Sequence, residues 1–356
     1  MSSLLSNIKP TKQGALPPPP NAPVAVALGV KDVSIEWLAG DGSDRCYYRI
    51  ICDNDRNKTY VLMQLSNQDA NLLEHDGYDW IKIAKILDRQ RITVPKPVKS
   101  LPQFAALIIE DYGDRMLETI AFDLLHQKQR SELVSLYEQA LGIIAKMIRI
   151  PSATTEIWCS RGFDEERYQW ELDFFRKKFV GPVARWEFTK AEEAAFQKDC
   201  RMISAELAMY SRYFTHRDFH SRNIMVKNGR LAVIDFQDAR LGSPAYDMVS
   251  LCFDSYVPFR DSERLQLMED GMDIVRSQVS KTVREEINHH WRPMLLQRQL
   301  KAIGSFGFLT IDKNRGNYLK YVKPALETLD RPIVFDKRWP FLSGDLIERL
   351  KDLGPA

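Results

Sequence analysis

The chain has 356 residues, 44% hydrophobic, 28% charged and 10% aromatic, enough apolar material for two or three folding units at about 150 residues each. Fifty basic against 48 acidic residues leave a net charge of +2, which argues against a polybasic binder of nucleic acid or anionic membrane. The longest apolar runs, Val24 to Val30 and Phe104 to Ile109, fall far short of the roughly 18–20 residues that span a bilayer. The opening MSSLLSNIKP lacks the basic and apolar regions of a secretory signal, so a cytoplasmic location is expected. The five cysteines, Cys46, Cys52, Cys159, Cys200 and Cys252, are scattered and never spaced as CxxC. Reduced, mostly buried thiols are expected rather than disulfides or structural zinc.

Residues 1–22 carry Pro17-Pro18-Pro19-Pro20 among small and polar residues and read as a flexible tail, since this composition builds neither a helix nor a central strand. Val33 to Leu38, Arg45 to Cys52 and Thr59 to Leu65 are rich in β-branched and aromatic residues. The loop Ala39 to Asp44 and the polar turn Asp53 to Lys58 separate them, the pattern of antiparallel strands joined by hairpins. A helix is expected over Asn71 to Asp88 and a short strand over Ala105 to Glu110, so residues 23–111 form a small sheet-plus-helix lobe.

Beyond Asp111-Tyr112-Gly113 the pattern turns helical, and residues 112–356 read as a larger helical lobe. Leu133, Tyr137, Leu141, Ile144 and Ile148 recur at spacings of three or four within Ser131 to Ile150, and Pro151 ends that helix. Thr189 with Glu192 fits a capping box ahead of Ala194 to Tyr210. One β interruption stands out: Asn223 to Val226 and Leu231 to Asp235 flank Asn228-Gly229, the signature of a type I′ hairpin. The expected class is α+β, a bilobal chain with a small antiparallel β lobe and a larger, mostly helical one.

Chemistry concentrates around that hairpin. His216-Arg217-Asp218-Phe219-His220-Ser221-Arg222-Asn223 precedes it and Ile234-Asp235-Phe236-Gln237-Asp238 follows it. The first segment matches HRDxxxxN of kinase catalytic loops, and the Asp-Phe pair falls where kinases carry a metal-binding Asp. Phosphoryl transfer needs an acceptor hydroxyl aimed in line and Mg²⁺ to neutralise phosphate charge. Asp218 is the candidate base that orients the hydroxyl and accepts its proton, while Asn223 and Asp235 supply the hard oxygen ligands that Mg²⁺ prefers. A competing zinc site from His216 and His220, four apart, lacks the Glu that follows the first His in zinc hydrolases, and its segment runs into a strand instead of a long helix.

These segments make the chain resemble the aminoglycoside-phosphotransferase and choline-kinase-like group. Within it, the chain is most similar to the anomeric N-acetylmuramate/N-acetylglucosamine kinases of bacterial cell-wall recycling. The resemblance runs through Asp41 to Arg49, Val61 to Met63, Leu107 to Asp114, Trp170 to Phe175, the catalytic segment, Ile234 to Ala239, Tyr246-Asp247 and Gln297-Arg298 to Gly304. It implies a bilobal protein-kinase-like fold, ATP and Mg²⁺ as cofactors, and a small-molecule sugar as acceptor. No nucleic-acid, membrane or obligate protein partner is expected.

The resemblance also suggests nucleotide contacts, each with an ordinary alternative. Gly42 and Ser43 cover phosphates or form a plain hairpin turn. The third strand, Tyr60 to Gln64, lacks the usual Lys, so Arg45 or Arg49 supplies the charge or is a solvated strand residue. Glu110 and Tyr112 lie where adenine pairs with backbone, or in a simple linker. Glu171 and Arg298 are candidate acceptor contacts, with Glu171 alternatively on the solvent face of its helix. Asp247 is expected to brace the catalytic loop. A kinase for an aminoglycoside or choline is the nearer rival and would show carboxylates clustered opposite Asp218. A nucleotide-binding pseudokinase is the more distant one.

Overall fold

The computed structural model describes residues 17–40, 45–53, 55–66, 70–73, 77–153, 155–209 and 211–353. The chain divides into two compact units, Met1–Ile86 with Val94–Gly113 and Leu87–Thr93 with Asp114–Ala356.

The first unit is built on a five-stranded antiparallel sheet in the order β1-β2-β3-β5-β4, with β1 Val33–Gly40, β2 Cys46–Cys52, β3 Asp55–Gln64, β4 Pro97–Leu101 and β5 Ala106–Glu110. Side chains alternate between faces at period two. Ile50, Leu62 and Ile108 join Val24 and Ala25 of the helix Asn21–Leu28 in one buried cluster. That helix begins inside the stretch read as a tail. It is short and apolar with no polar stripe, so it carries no amphipathic period to announce it. The single helix expected over 71–88 is two, Ala70–Leu73 and Asp79–Arg89.

The second unit is mostly helical. Helix Arg130–Ile148 buries Leu133, Tyr137, Leu141, Ile144 and Ile148, as their spacing predicts. Helix Lys190–Ala208 opens with both capping-box hydrogen bonds, Glu192 N–H to Thr189 Oγ1 and Thr189 N–H to Glu192 Oε2. Two small ribbons interrupt the helices: β6 Tyr213–Thr215 pairs with β9 Arg240–Gly242, and β7 Ile224–Lys227 pairs with β8 Arg230–Val233. The β7–β8 turn places Asn228 at φ 52° and Gly229 at φ 71°, the left-handed pair that a type I′ turn requires. Among the described residues no helix is long and apolar enough to cross a membrane, and none of the five cysteines is joined in a disulfide.

Candidate active site

Two buried carboxylates hold the His216–Asn223 segment between β6 and β7. Asp247 accepts hydrogen bonds from the His216 N–H at 2.7 Å and the Arg217 N–H at 3.1 Å, the bracing role its position suggested. Asp254 does the same for the Ser221 N–H at 2.9 Å and the Tyr256 N–H at 2.8 Å. The Asp247 bonds hold the backbone at Arg217, which sits at φ 82°, a conformation that costs a non-glycine residue about 1–3 kcal/mol; Asp235, at φ 62°, is also left-handed. His216 Nε2 donates to the Ile234 carbonyl at 3.0 Å, and the His220 ring packs edge-on against Tyr256. The two histidines thus serve the loop and its surroundings and do not form a zinc pair.

The hairpin brings Asn223 and Asp235 together. Asn223 Nδ2 donates to the Asp218 carbonyl at 2.8 Å and lies 3.5 Å from Asp235 Oδ2. Gln237 Nε2 donates to Asp235 Oδ1 at 2.7 Å. With the Asn223 NH₂ group spent on the loop, the donors left for a metal are an amide oxygen and a carboxylate. This hard-oxygen set fits Mg²⁺ and not a soft-metal site. Among the described residues no cluster of three or more His, Cys, Asp or Glu side chains is placed to hold a metal.

Asp218 meets two cations from the helix Lys281–Ile311. Lys301 Nζ lies 2.7 Å and Arg298 Nη2 3.3 Å from the same Asp218 Oδ1, and Arg298 Nε donates to Ser250 Oγ at 2.7 Å. Burial alone would raise the Asp218 carboxyl, but Lys301, Arg217, Arg298 and His220 together hold it well below the usual carboxylate range. Burial pulls Lys301 down to about 8 against the attraction of Asp218, and pulls His220 down to about 3. Burial pushes Asp247 up to about 6 despite His216 and the two N–H donors.

Asp218, Arg298 and Lys301 open onto a cavity whose wall also includes Asp254, Ser250, Ser305 and Tyr256. Asp218 keeps 27% exposure there, against 8% for Arg298 and 10% for Lys301. Arg298, singled out in the sequence, therefore reaches the Asp218 carboxylate. Lys301 was missed, although it stands three residues after Arg298 and so shares its helix face.

Glu171 departs from expectation. Its side chain is fully buried, not on a solvent face, and it does not line the cavity. Its Oε2 accepts from Gln297 Nε2 at 2.9 Å, and its Oε1 lies 3.9 Å from Arg217 Nε. The sequence did carry a signal, since Tyr168, Glu171, Leu172 and Phe175 share one stripe of the helix Glu165–Phe175 and all are buried.

Close helix contact places the two cations. The helix Glu165–Phe175 runs on into a π-helical turn, Arg176–Val180, and the helix Lys281–Ile311 passes directly over both. A Cβ on Gly304 would lie 2.7 Å from Phe175 Cα, and one on Gly307 would lie 2.2 Å from the Lys178 carbonyl oxygen. Only glycine permits this approach, which sets the height of Lys301 and Arg298 one to two turns upstream.

In the first unit, the residues considered for nucleotide contact fall out differently. Gly42 and Ser43 lie outside the described residues, and Arg45 is half-buried. Arg49 is not a solvated strand residue: its guanidinium grips Asp111, with Nε 2.7 Å from Oδ2 and Nη2 3.2 Å from Oδ1. The register explains this pairing, because Arg49 faces Val61 and Val61 faces Ile109, bringing the end of β5 within reach. Glu110 Oε2 accepts from the Lys96 N–H, while Tyr112 is half-buried just beyond β5. Met63, on the strand where kinases usually carry Lys, is fully buried.

The chain is 24% identical over 304 residues to the N-acetylmuramate/N-acetylglucosamine kinase of Neisseria meningitidis serogroup B, covering 85% of this chain and 86% of that protein. An ADP-bound aminoglycoside phosphotransferase superposes with a TM-score of 0.55 at 15% identity, covering 86% of this chain and 96% of its own. A choline kinase of Streptococcus pneumoniae superposes with a TM-score of 0.54 at 14% identity, with coverages of 86% and 96%. These structural likenesses establish the protein-kinase-like α+β fold. Residues 34–276 match the model of the phosphotransferase enzyme family, to which this chain belongs.

Proposed function

We propose that this chain is an ATP- and Mg²⁺-dependent sugar kinase acting in cell-wall recycling. Its acceptor would be the anomeric hydroxyl of N-acetylmuramate or N-acetylglucosamine, and its product the sugar 1-phosphate. The observation that carries this reading is Asp218, held by a strained, braced loop, opening onto a cavity through its side chain and bonded through its carbonyl to Asn223, which lies beside Asp235. The name of the Neisseria relative supports the substrate class.

In this reading Asp218 orients the acceptor hydroxyl and takes its proton. Its low proton affinity suits an anomeric hydroxyl, which is more acidic than an ordinary alcohol. The Asn223 amide oxygen and the Asp235 carboxylate are the Mg²⁺ ligands, and the ion supplies charge neutralisation at the nucleotide phosphates. Asp247 and Asp254 keep Asp218 and Asn223 aimed. We assign Gly42, Ser43 and Arg45 to the phosphates and the Glu110–Tyr112 backbone to adenine, with Arg49 acting through Asp111 to fix that segment.

A cationic acceptor such as an aminoglycoside or choline fits less well. The groups nearest Asp218 on the cavity wall are Lys301 and Arg298, and the Asp254 carboxylate is occupied by two backbone N–H groups. Release of ADP on adding either amino sugar tests the reading, and ATP binding without ADP release with any acceptor would instead support a pseudokinase.

A further inference from the structure

The cavity beside Asp218 has more positive charge than Asp218 needs. Lys301 and Arg298 both converge on the single oxygen Asp218 Oδ1, and Arg217 adds a third cation within electrostatic range of that carboxylate. On the acidic side, Asp238 lies 3.7 Å and Glu171 3.9 Å from Arg217, so that cation has carboxylate partners of its own. Two carboxylates, Asp218 and Asp254, and two cations, Lys301 and Arg298, line the cavity wall, but Asp254 is occupied by the Ser221 and Tyr256 N–H groups, which leaves Asp218 alone to face both cations. That wall also carries hydroxyls, Ser250 and Ser305, and the aromatic rings of Tyr256 and Phe306, groups that hydrogen-bond a sugar and pack on its apolar face. A buried excess cation is stabilised by an anionic ligand group that accepts its hydrogen bonds.

We propose that Lys301 and Arg298 form a carboxylate-binding subsite in this cavity, so that the carboxylate-bearing amino sugar is preferred over its neutral counterpart. This rests on the sugar-kinase reading above and adds a specificity determinant to it. The acceptor's carboxylate shares the two cations with Asp218, while its hydroxyl is presented to Asp218 itself. N-Acetylmuramate carries such a group and N-acetylglucosamine does not.

The test compares kcat/KM of the full-length protein for N-acetylmuramate, its methyl ester and N-acetylglucosamine. The free acid should exceed the ester by about tenfold or more, the effect of one charge-assisted contact. In Lys301→Gln the ratio of N-acetylmuramate to N-acetylglucosamine should fall by a similar factor. The ratio is read because Lys301 also touches Asp218 and its loss lowers both rates. Equal use of acid and ester by the unmodified protein would overturn the proposal without any variant having to fold. So would an unchanged ratio in Lys301→Gln, which would assign the two cations to Asp218 or to the transferred phosphoryl group alone. Turnover of neither sugar would overturn the sugar-kinase reading and this proposal with it; turnover of both with no preference would overturn this proposal alone.

Discussion

Lys301 Nζ lies 2.7 Å from Asp218 Oδ1, although 83 residues separate them in the chain. The contact couples the catalytic loop to a distant helix, and it accounts for why the central carboxylate stays ionised although packed against protein on most sides. Asp218→Asn should therefore retain nucleotide binding and lose turnover by about a hundred- to ten-thousand-fold, the range for a positioned base. Calorimetric ATP binding together with steady-state ADP release checks this, and unchanged turnover would remove Asp218 from the reaction.

The same contact sets a pH dependence. Lys301 must be protonated to hold Asp218, and burial pulls it down to about 8. Asp247 must be ionised to accept two N–H bonds, and burial pushes it up to about 6. Activity should thus rise as pH climbs through about 6 and fall as it climbs through about 8, giving a bell-shaped profile. Asp218, held low, adds no limb within that range. Lys301→Arg, which keeps its charge at every working pH, should move the alkaline limb upward; an unmoved limb would detach it from Lys301.

Asp235→Asn should weaken Mg²⁺-dependent activity before anything else, because it removes the carboxylate that lies beside Asn223. A Mg²⁺ titration of ADP release should show its midpoint displaced to higher concentration. An identical titration would rule out a ligand role.

Gly307→Ala should destabilise the fold by about 1–3 kcal/mol, the usual cost of forcing atoms into a packed contact. The added methyl would meet the Lys178 backbone carbonyl, which cannot swing aside as a side chain can. Gly316→Ala, where a Cβ would meet nothing within 4 Å, is the matching control. Differential scanning calorimetry should separate the two, and equal melting temperatures would contradict the account of the helix crossing.

What the sequence disclosed follows from how local each feature is. The β7–β8 hairpin and the loop before it could be read because turn chemistry and motif spacing act over a dozen residues. The capping box of Thr189 and Glu192 could be read for the same reason. For Lys301 and Glu171 helix spacing shows only which face each occupies, not what it touches. Each owes its position to how the helices Glu165–Phe175 and Lys281–Ile311 pack, a tertiary relation that local pattern does not encode. Arg49 is similar: its tie to Asp111 depends on sheet register across three strands. The helix Asn21–Leu28 escaped notice because eight nearly uniform apolar residues after four prolines show no period.

The most direct measurement is phosphorus NMR of the protein with ATP, Mg²⁺ and each amino sugar in turn, since one spectrum reports both turnover and the position of the new phosphate. The account predicts a sugar 1-phosphate resonance growing as ATP is consumed, stronger with N-acetylmuramate. A phosphate on any other hydroxyl, or intact ATP with both sugars, would contradict it.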